Sequence, residues 1–276
     1  MSAAAEGTLG GRSGGGQPVR SASTGVHATL IVLDAIAATG RPMHLSELAH
    51  ELPVPKSTIH RVCAVLVERG WLVREGDGAY ALGIRALRLG ARSDELPIVT
   101  AFRTVAADFL TRHDEMLALA VLDGDESLVI AIEETSQPIR LVTHVGAKVE
   151  AFASASGRVL LAALPAEQVD ARLAGRTLVT PTGRRLSGVA ELQIFLAEVR
   201  ARGYAENVEE TAVGLYAASV PVRNAAETTL AALTTCVPTS RVTEERRRSI
   251  LEDLVANGRT LSSLVDWLPA FTARRP

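Results

Sequence analysis

The apolar positions in the first third of the chain fall into three helical repeats and one hairpin. From Val26 onward, Leu30, Leu33, Ile36 and Ala37 recur at helical spacing and stop at Thr39-Gly40, ahead of Pro42, which predicts a first helix ending there. Leu45, Leu48, Ala49 and Leu52 share one face of a shorter second helix, which Pro53-Val54-Pro55 breaks. A third helix runs from about Lys56 to Arg69 and ends at Gly70. Its Ile59, Val62, Cys63, Leu66 and Val67 follow the i, i+3, i+4, i+7 rule and must face a core. Trp71-Leu72-Val73-Arg74 and Ala79-Tyr80-Ala81-Leu82 bracket Glu75-Gly76-Asp77-Gly78, a hairpin signal. Three short helices and a hairpin within about sixty residues make a winged helix-turn-helix, whose third helix lies across the second and offers its polar face to a DNA major groove.

Further along, the pattern changes to α+β. Residues 83–90 predict a connecting helix, and Pro97 precedes a helical repeat from Val99 to His113. Apolar runs at 117–122, 128–132 and 139–143 predict strands, the first two joined by a tight turn at Asp123-Gly124. Helices are expected at 155–164, 166–174 and 188–202, and strands near 203–208, 215–222 and 228–237. Thr243-Glu244-Glu245 caps a last helix that repeats Ile250, Leu251, Leu254, Val255, Leu261, Leu264 and Val265. Two antiparallel strand groups, with helices before, between and after, give an α+β domain over residues 98–270. The expected organisation is a tail (1–25), a winged helix-turn-helix (26–83), a linker helix (84–97), the α+β domain and a short tail (271–276). Seven glycines in residues 1–25 leave the first tail too little to bury, so disorder is expected there.

Composition narrows the classes. A chain of 276 residues suits roughly two domains. With 47% hydrophobic and 22% charged residues it has enough apolar material for two cores. A net charge of −2 and a pI near 6.3 exclude a polybasic nucleic-acid coat but not a small DNA-reading face. Residues 27–90 carry seven Lys and Arg (41, 56, 61, 69, 74, 85, 88) against six acids (34, 47, 51, 68, 75, 77), a net of +1. One such domain neutralises few phosphates, so at least two copies should act together on DNA. No apolar run reaches membrane-spanning length, no basic and apolar leader precedes the first helix, and Cys63 and Cys236 stand alone in apolar segments. A cytoplasmic protein with reduced thiols and no membrane partner is expected.

The chemistry on offer is binding chemistry. Lys56, Ser57, Thr58, His60 and Arg61 cluster on the outward face at the start of the third helix, with Arg74 on the hairpin. Arg reads a guanine edge, Ser and Thr serve base or phosphate, and a helix N-terminus attracts phosphate. No metal-ligand spacing, phosphate loop, dinucleotide fingerprint or nucleophile elbow occurs, so neither cofactor nor catalytic residue is assigned. Glu133-Glu134 and Glu209-Glu210 read as solvated charges, since strand neighbours point to opposite faces. The segment Val149-Glu150-Ala151-Phe152 leads into Ala153-Ser154-Ala155-Ser156-Gly157-Arg158 and a helix. Small residues there either let a carboxylate approach free N–H groups or simply allow close helix–sheet packing.

These residues resemble the IclR family of bacterial transcriptional regulators. Leu48-Ala49, Pro55-Lys56-Ser57-Thr58-Ile59-His60-Arg61, Gly70-Trp71 and Tyr80-Ala81-Leu82-Gly83 match its N-terminal domain in order. Gly157-Arg158-Val159-Leu160-Leu161-Ala162, Arg200-Ala201-Arg202-Gly203-Tyr204, Glu209-Glu210 with Gly214-Leu215, and Pro221-Val222 resemble its later signatures, so the likeness runs from about Val26 to Leu268. The resemblance implies a winged helix-turn-helix joined by a linker helix to a GAF-like effector domain, with pairing into dimers or dimers of dimers on operator DNA. It also implies control of a catabolic or metabolic operon by a small organic acid. Alignment would draw the effector pocket from the Ala155 and Ser156 amides, the side chains at Asn207, Ala217, Thr234 and Cys236, and an apolar wall of Leu141, Val149 and Leu215. The chain departs from the family pattern at Pro53 (usually glycine), Ala217 (often cysteine), Asn207 (often aspartate) and Arg158 (usually lysine). Fewer polar anchors suggest a bulkier, aromatic or branched acid, acting on a repressor. An enzyme with an appended DNA module and a constitutive DNA-binding protein without effector are the competing readings.

Overall fold

Helix α1 (Val19–Thr39) opens the part of the chain that the computed structural model describes, residues 19–90 and 95–269. The expected tail therefore ends earlier than glycine content suggested: residues 19–25 are helical, following Pro18, and the rest of that tail, residues 91–94 and the C-terminal tail lie outside the described residues. The chain divides into two compact units, residues 1–92 and 93–276.

In the first unit α1 buries Ala28, Val32 and Ile36, whereas Leu30 is 55% exposed and Ala37 faces solvent. The spacing was right but the buried stripe is rotated, because adjacent i, i+4 rows of this helix are both apolar and only packing chooses between them. Helices α2 (Leu45–Glu51) and α3 (Lys56–Glu68) close the core with Leu48, Ile59, Val62, Cys63 and Leu66. Strands β1 (Leu72–Arg74) and β2 (Tyr80–Leu82) form the wing, and paired Met43 and Tyr80 backbones tie it back to the segment before α2. Gly83 is sterically required, since a Cβ there would lie 2.5 Å from the Gly70 carbonyl oxygen. The turn between α2 and α3 uses no positive φ, so Pro53 fits where glycine was the expectation. Helix α4 (Ile84–Gly90) follows directly.

The second unit starts with α5 (Pro97–His113). Strands β3 (Met116–Asp123), β4 (Glu126–Glu133), β5 (Lys148–Glu150), β6 (Ala205–Val208), β7 (Leu215–Arg223) and β8 (Thr229–Pro238) make one antiparallel sheet in the order β5-β4-β3-β8-β7-β6. The two expected strand groups are thus fused by pairing of β3 with β8. Helices α6 (Ala155–Ala162), α7 (Ala166–Leu173) and α8 (Val189–Arg202) bury Leu161, Leu173 and Leu196 against one face, which presents Ala217 and Ala232. Helix α9 (Glu244–Leu264) and α5 cover the other through Ile250, Leu254, Phe102 and Phe109, against Leu117, Ala218 and Leu233. Leu264 is left exposed at the end of α9, outside the stripe that was expected to bury it.

The strand expected at 139–143 does not form; β4 pairs instead with β5 across a long irregular segment. Side-chain bonds anchor the start of that segment. The Asp114 carboxylate, on a residue with φ of 46°, accepts hydrogen bonds from the Ser136 hydroxyl and N–H, the Thr135 hydroxyl and the Gln137 amide. Those donors, Ser136 first, hold the Asp114 carboxyl down at about 2. A lowered folded pKa stabilises above the unfolded value, about 3.9, and that contribution is lost as pH falls through the folded value. Wild type should therefore melt higher than Asp114→Asn at neutral pH, and the gap should close between about pH 4 and pH 2. A gap in Tm that stays constant across that range would show the Asp114 anchor is not at work.

Candidate functional site

In the first unit, α3 begins without a capping side chain. Its N-cap is Pro55 (φ −55°, ψ 137°), which has no side-chain acceptor, so the N–H groups of Lys56 and Ser57 stay open to an anion. The Thr58 and Ile59 N–H groups both bond the Pro55 carbonyl, which fixes the first turn. The side chains of Lys56, Ser57, His60 and Arg61 are exposed and Thr58 is half-buried; none makes a hydrogen bond or ion pair among the described residues. The buried face of the same helix, Ile59, Val62, Cys63 and Leu66, forces these groups outward. Arg74 lies exposed on the wing with its guanidinium 5.8 Å from the Tyr80 ring centroid. This is an anion-seeking, hydroxyl-rich face left free of internal partners.

In the second unit, the register aligns three of the residues singled out above, with Met116 beside them. Asn207 pairs with Ala217, Ala217 with Cys236, and Cys236 with Met116, so they form one row across β6, β7, β8 and β3. Thr234 lies on the same face one row on, its hydroxyl bonded to that of Ser219 at 2.8 Å. Helix α6 starts against this face. Ser154 caps it by accepting from the Gly157 N–H, while the Ala155 and Ser156 N–H groups lie in the first turn, without intrahelical acceptors. Gly157 packs on the preceding turn so closely that a Cβ would lie 2.2 Å from the Ala151 Cα. The Ser156 hydroxyl accepts from that of Ser127 at 2.8 Å. Burial pushes the Cys236 thiol up to about 12, so it stays a neutral thiol.

The apolar positions are less tightly grouped. Leu215 is buried on β7 and Val149 is half-buried on β5, opposite Ser127. Leu141 sits in the irregular segment and shares with Met116 and Ile132 a recess of only about 10 Å³, room for one water at most. Wider grooves lie elsewhere in the unit, one of about 410 Å³ lined by Arg202, Arg223, Arg259 and Asp266.

Two carboxylates, each held by two arginines, flank the row. Glu115 is fully buried and takes both Arg241 (2.6 and 2.9 Å) and Arg246 (2.8 Å), while Arg241 also donates to the Ile139 carbonyl. Glu210 is also buried and takes Arg158 and Arg184, which corrects the reading of Glu209-Glu210 as solvated charges. Both guanidiniums stand over the Phe195 ring, at 5.3 and 5.2 Å. Glu210 had no local sequence signal: its partners lie far away in the chain, and only the closed loop brings them together.

Comparison with known proteins follows the same division. The family model described as bacterial transcriptional regulator IclR C-terminal matches residues 91–263, and that of the IclR helix-turn-helix domain matches residues 29–76. The chain is 30% identical over 257 residues to the HTH-type transcriptional regulator BhcR of Paracoccus denitrificans, covering 91% of each chain. It is 29% identical over 221 residues to the acetate operon repressor of Salmonella typhimurium, covering 79% of this chain and 81% of that one. Among solved structures, an IclR-type regulator from a Silicibacter species superposes with a TM-score of 0.80 at 27% identity, covering 88% of this chain and 96% of that one. An IclR homologue from Microbacterium hydrocarbonoxydans, solved in complex with 4-hydroxybenzoate, has the same fold at 22% identity and a TM-score of 0.71, covering 88% of this chain and all of that one.

Proposed function

Since the chain belongs to the IclR family of bacterial transcriptional regulators, with a helix-turn-helix domain followed by an effector domain, we propose that it is a cytoplasmic repressor of a catabolic or metabolic operon, released from its operator by a small organic acid. The observation that carries the DNA half is the uncapped, unpartnered start of α3. Arg61, Ser57, Thr58 and His60 would meet base edges, with Lys56 and Arg74 on phosphates. The small charge surplus of the domain favours two copies acting together. Helix α4 agrees with that: it has no buried residue, and Ile84 and Leu87, one turn apart on the same side, are 64% and 65% exposed, an apolar strip suited to a second copy.

For the effector half, the Ala155 and Ser156 N–H groups would take a carboxylate, and Leu141, Val149, Leu215, Ala217, Thr234 and Cys236 would meet its body. A neutral thiol, an alanine and an already bonded threonine hydroxyl give the sheet an apolar patch facing the start of α6, which favours an aromatic or branched acid over glyoxylate or pyruvate. Entry requires the segment around Leu141 to move away from Met116 and Ile132. Tight calorimetric binding of glyoxylate, with no response to larger acids, would overturn this part.

The deciding experiment is fluorescence anisotropy on the upstream intergenic DNA against a scrambled competitor at physiological salt. Wild type should bind tightly and resist competition. Arg61→Ala should lose about 1–3 kcal/mol of specific affinity, roughly 5- to 150-fold, if Arg61 holds a base edge bidentately. Unchanged binding in that variant would mean that α3 docks by another face.

A further inference from the structure

Asn207 stands at the β6 end of the row that faces the start of α6, yet both ends of its side chain are already engaged. Its Nδ2 donates to the Ala153 carbonyl at 2.5 Å, and its Oδ1 accepts from the Glu210 N–H at 3.2 Å. The residue is 3% exposed. A buried amide in that state has little left to offer a ligand, and pulling it away would leave a carbonyl and an N–H unpaired.

The partners are themselves held. The Thr211 hydroxyl also donates to the Ala153 carbonyl, at 3.2 Å, and the Thr182 hydroxyl donates to the Glu210 carbonyl, at 3.0 Å. The Glu210 carboxylate is gripped by Arg158 from α6 and by Arg184 from the segment before α8. Arg158 in addition donates its Nε–H to the Phe152 carbonyl at 2.9 Å. One ion triad thus spans the turn that leads into α6, the loop after β6 and the segment before α8.

We propose that Asn207 is a positioning residue and not a ligand contact, and that Glu210, clamped between Arg158 and Arg184, is what holds it in place. The inference rests on the reading that an acid occupies the start of α6, and deepens it. With Asn207 occupied, its amide oxygen is not offered to the ligand, which favours an acid whose body carries no hydroxyl or amino donor on the β6 side. An aspartate at 207 would instead set its charge against the Ala153 carbonyl.

The test uses the full chain, with ¹⁵N-labelled asparagine amides and backbone signals followed in wild type, Glu210→Gln, Arg158→Met, Arg158→Lys and Arg184→Met. In wild type, the Asn207 side-chain amide should exchange with solvent at least about 100-fold more slowly than exposed asparagine amides, as expected for a buried, bonded donor. Glu210→Gln should speed that exchange at least tenfold while the amides of β8 keep their protection, and Arg158→Lys, which preserves the charge, should restore part of what Arg158→Met removes. Arg184→Met, on the exposed side of the triad, serves if Glu210→Gln does not fold. Benzoate should then shift the Ala155 and Ser156 N–H signals and leave the Asn207 amide in place. Fast exchange at Asn207 in wild type, insensitivity to every triad variant, or a benzoate-induced shift larger at Asn207 than at Ala155 would overturn the proposal. If benzoate, 4-hydroxybenzoate and pyruvate all leave Ala155 and Ser156 unmoved, the acid-site reading fails, and the exchange data still decide the role of Asn207.

Discussion

Gly157→Ala should destabilise the second unit by about 3 kcal/mol, at the upper end of what overpacking usually costs. The added methyl would sit 2.2, 2.3 and 2.6 Å from the Cα, oxygen and carbonyl carbon of Ala151, all of them backbone atoms with no side-chain freedom to yield. Helix α6 would have to withdraw from the turn before it. That turn is fixed by the bond from the Ala151 N–H to the Asp125 carbonyl and by the Arg158 bond to Phe152. The same withdrawal moves the Ala155 and Ser156 N–H groups off the sheet. Urea unfolding should show a lower midpoint with an unchanged m-value. A midpoint equal to wild type would mean that α6 does not approach Ala151 as closely as described. The close approach shows the packing role of the small-residue segment at Gly157. The N–H groups of Ala155 and Ser156 lie just before it in the same turn, without intrahelical acceptors.

Glu115→Ala is expected to cost about 3 kcal/mol, the low end of the range for removing one member of a buried ion cluster. The Glu115 side chain is 1% exposed, but Arg241 and Arg246 keep 21% and 34%, so water recovers part of their loss. The Nε of Arg246 is already buried without a partner among the described residues, which leaves that arginine few alternatives once the carboxylate is gone. Thermal unfolding should report the loss, and added salt should change it little, because a buried pair is weakly screened. Combining Glu115→Leu with Arg241→Met should recover part of the stability, since an apolar replacement leaves fewer charges stranded. A loss below about 1 kcal/mol in Glu115→Ala would show that this triad does not clamp the end of the sheet. The functional consequence lies in Arg241, whose second bond holds the Ile139 carbonyl and with it the segment that carries Leu141.

The winged helix-turn-helix was legible because each of its signals is local. Prolines 53 and 55, Gly70, and the Gly-Asp-Gly turn are properties of a few consecutive residues. The outward face of α3 followed from the same stripe that buried Ile59, Val62, Cys63 and Leu66. Strands β3, β4, β7 and β8 were also legible, as long apolar runs with turn residues between them. The segment 139–143 was misread for a physical reason: its apolar residues suit a strand, but Asp114 and Arg241, distant in the chain, anchor its flank by side-chain bonds that no periodicity reveals. The rotated stripe of α1 has a similar origin, since two neighbouring rows were equally apolar and the rest of the core made the choice.

Sequence alone determined the elements of the first unit, the solvent-facing side of α3 and the family to which the chain is similar, because those rest on short-range spacing and on motifs read in order. Tertiary structure decided which polar groups are free. Asn207, Ser156 and Thr234 look equivalent in sequence as polar positions, yet each is already bonded to a residue brought in by sheet register or loop closure. Glu210 looks like a surface acid and is buried between two arginines. Whether a buried polar group can serve a ligand depends on which partners surround it, and those partners are set by packing across long stretches of chain, not by neighbours along it.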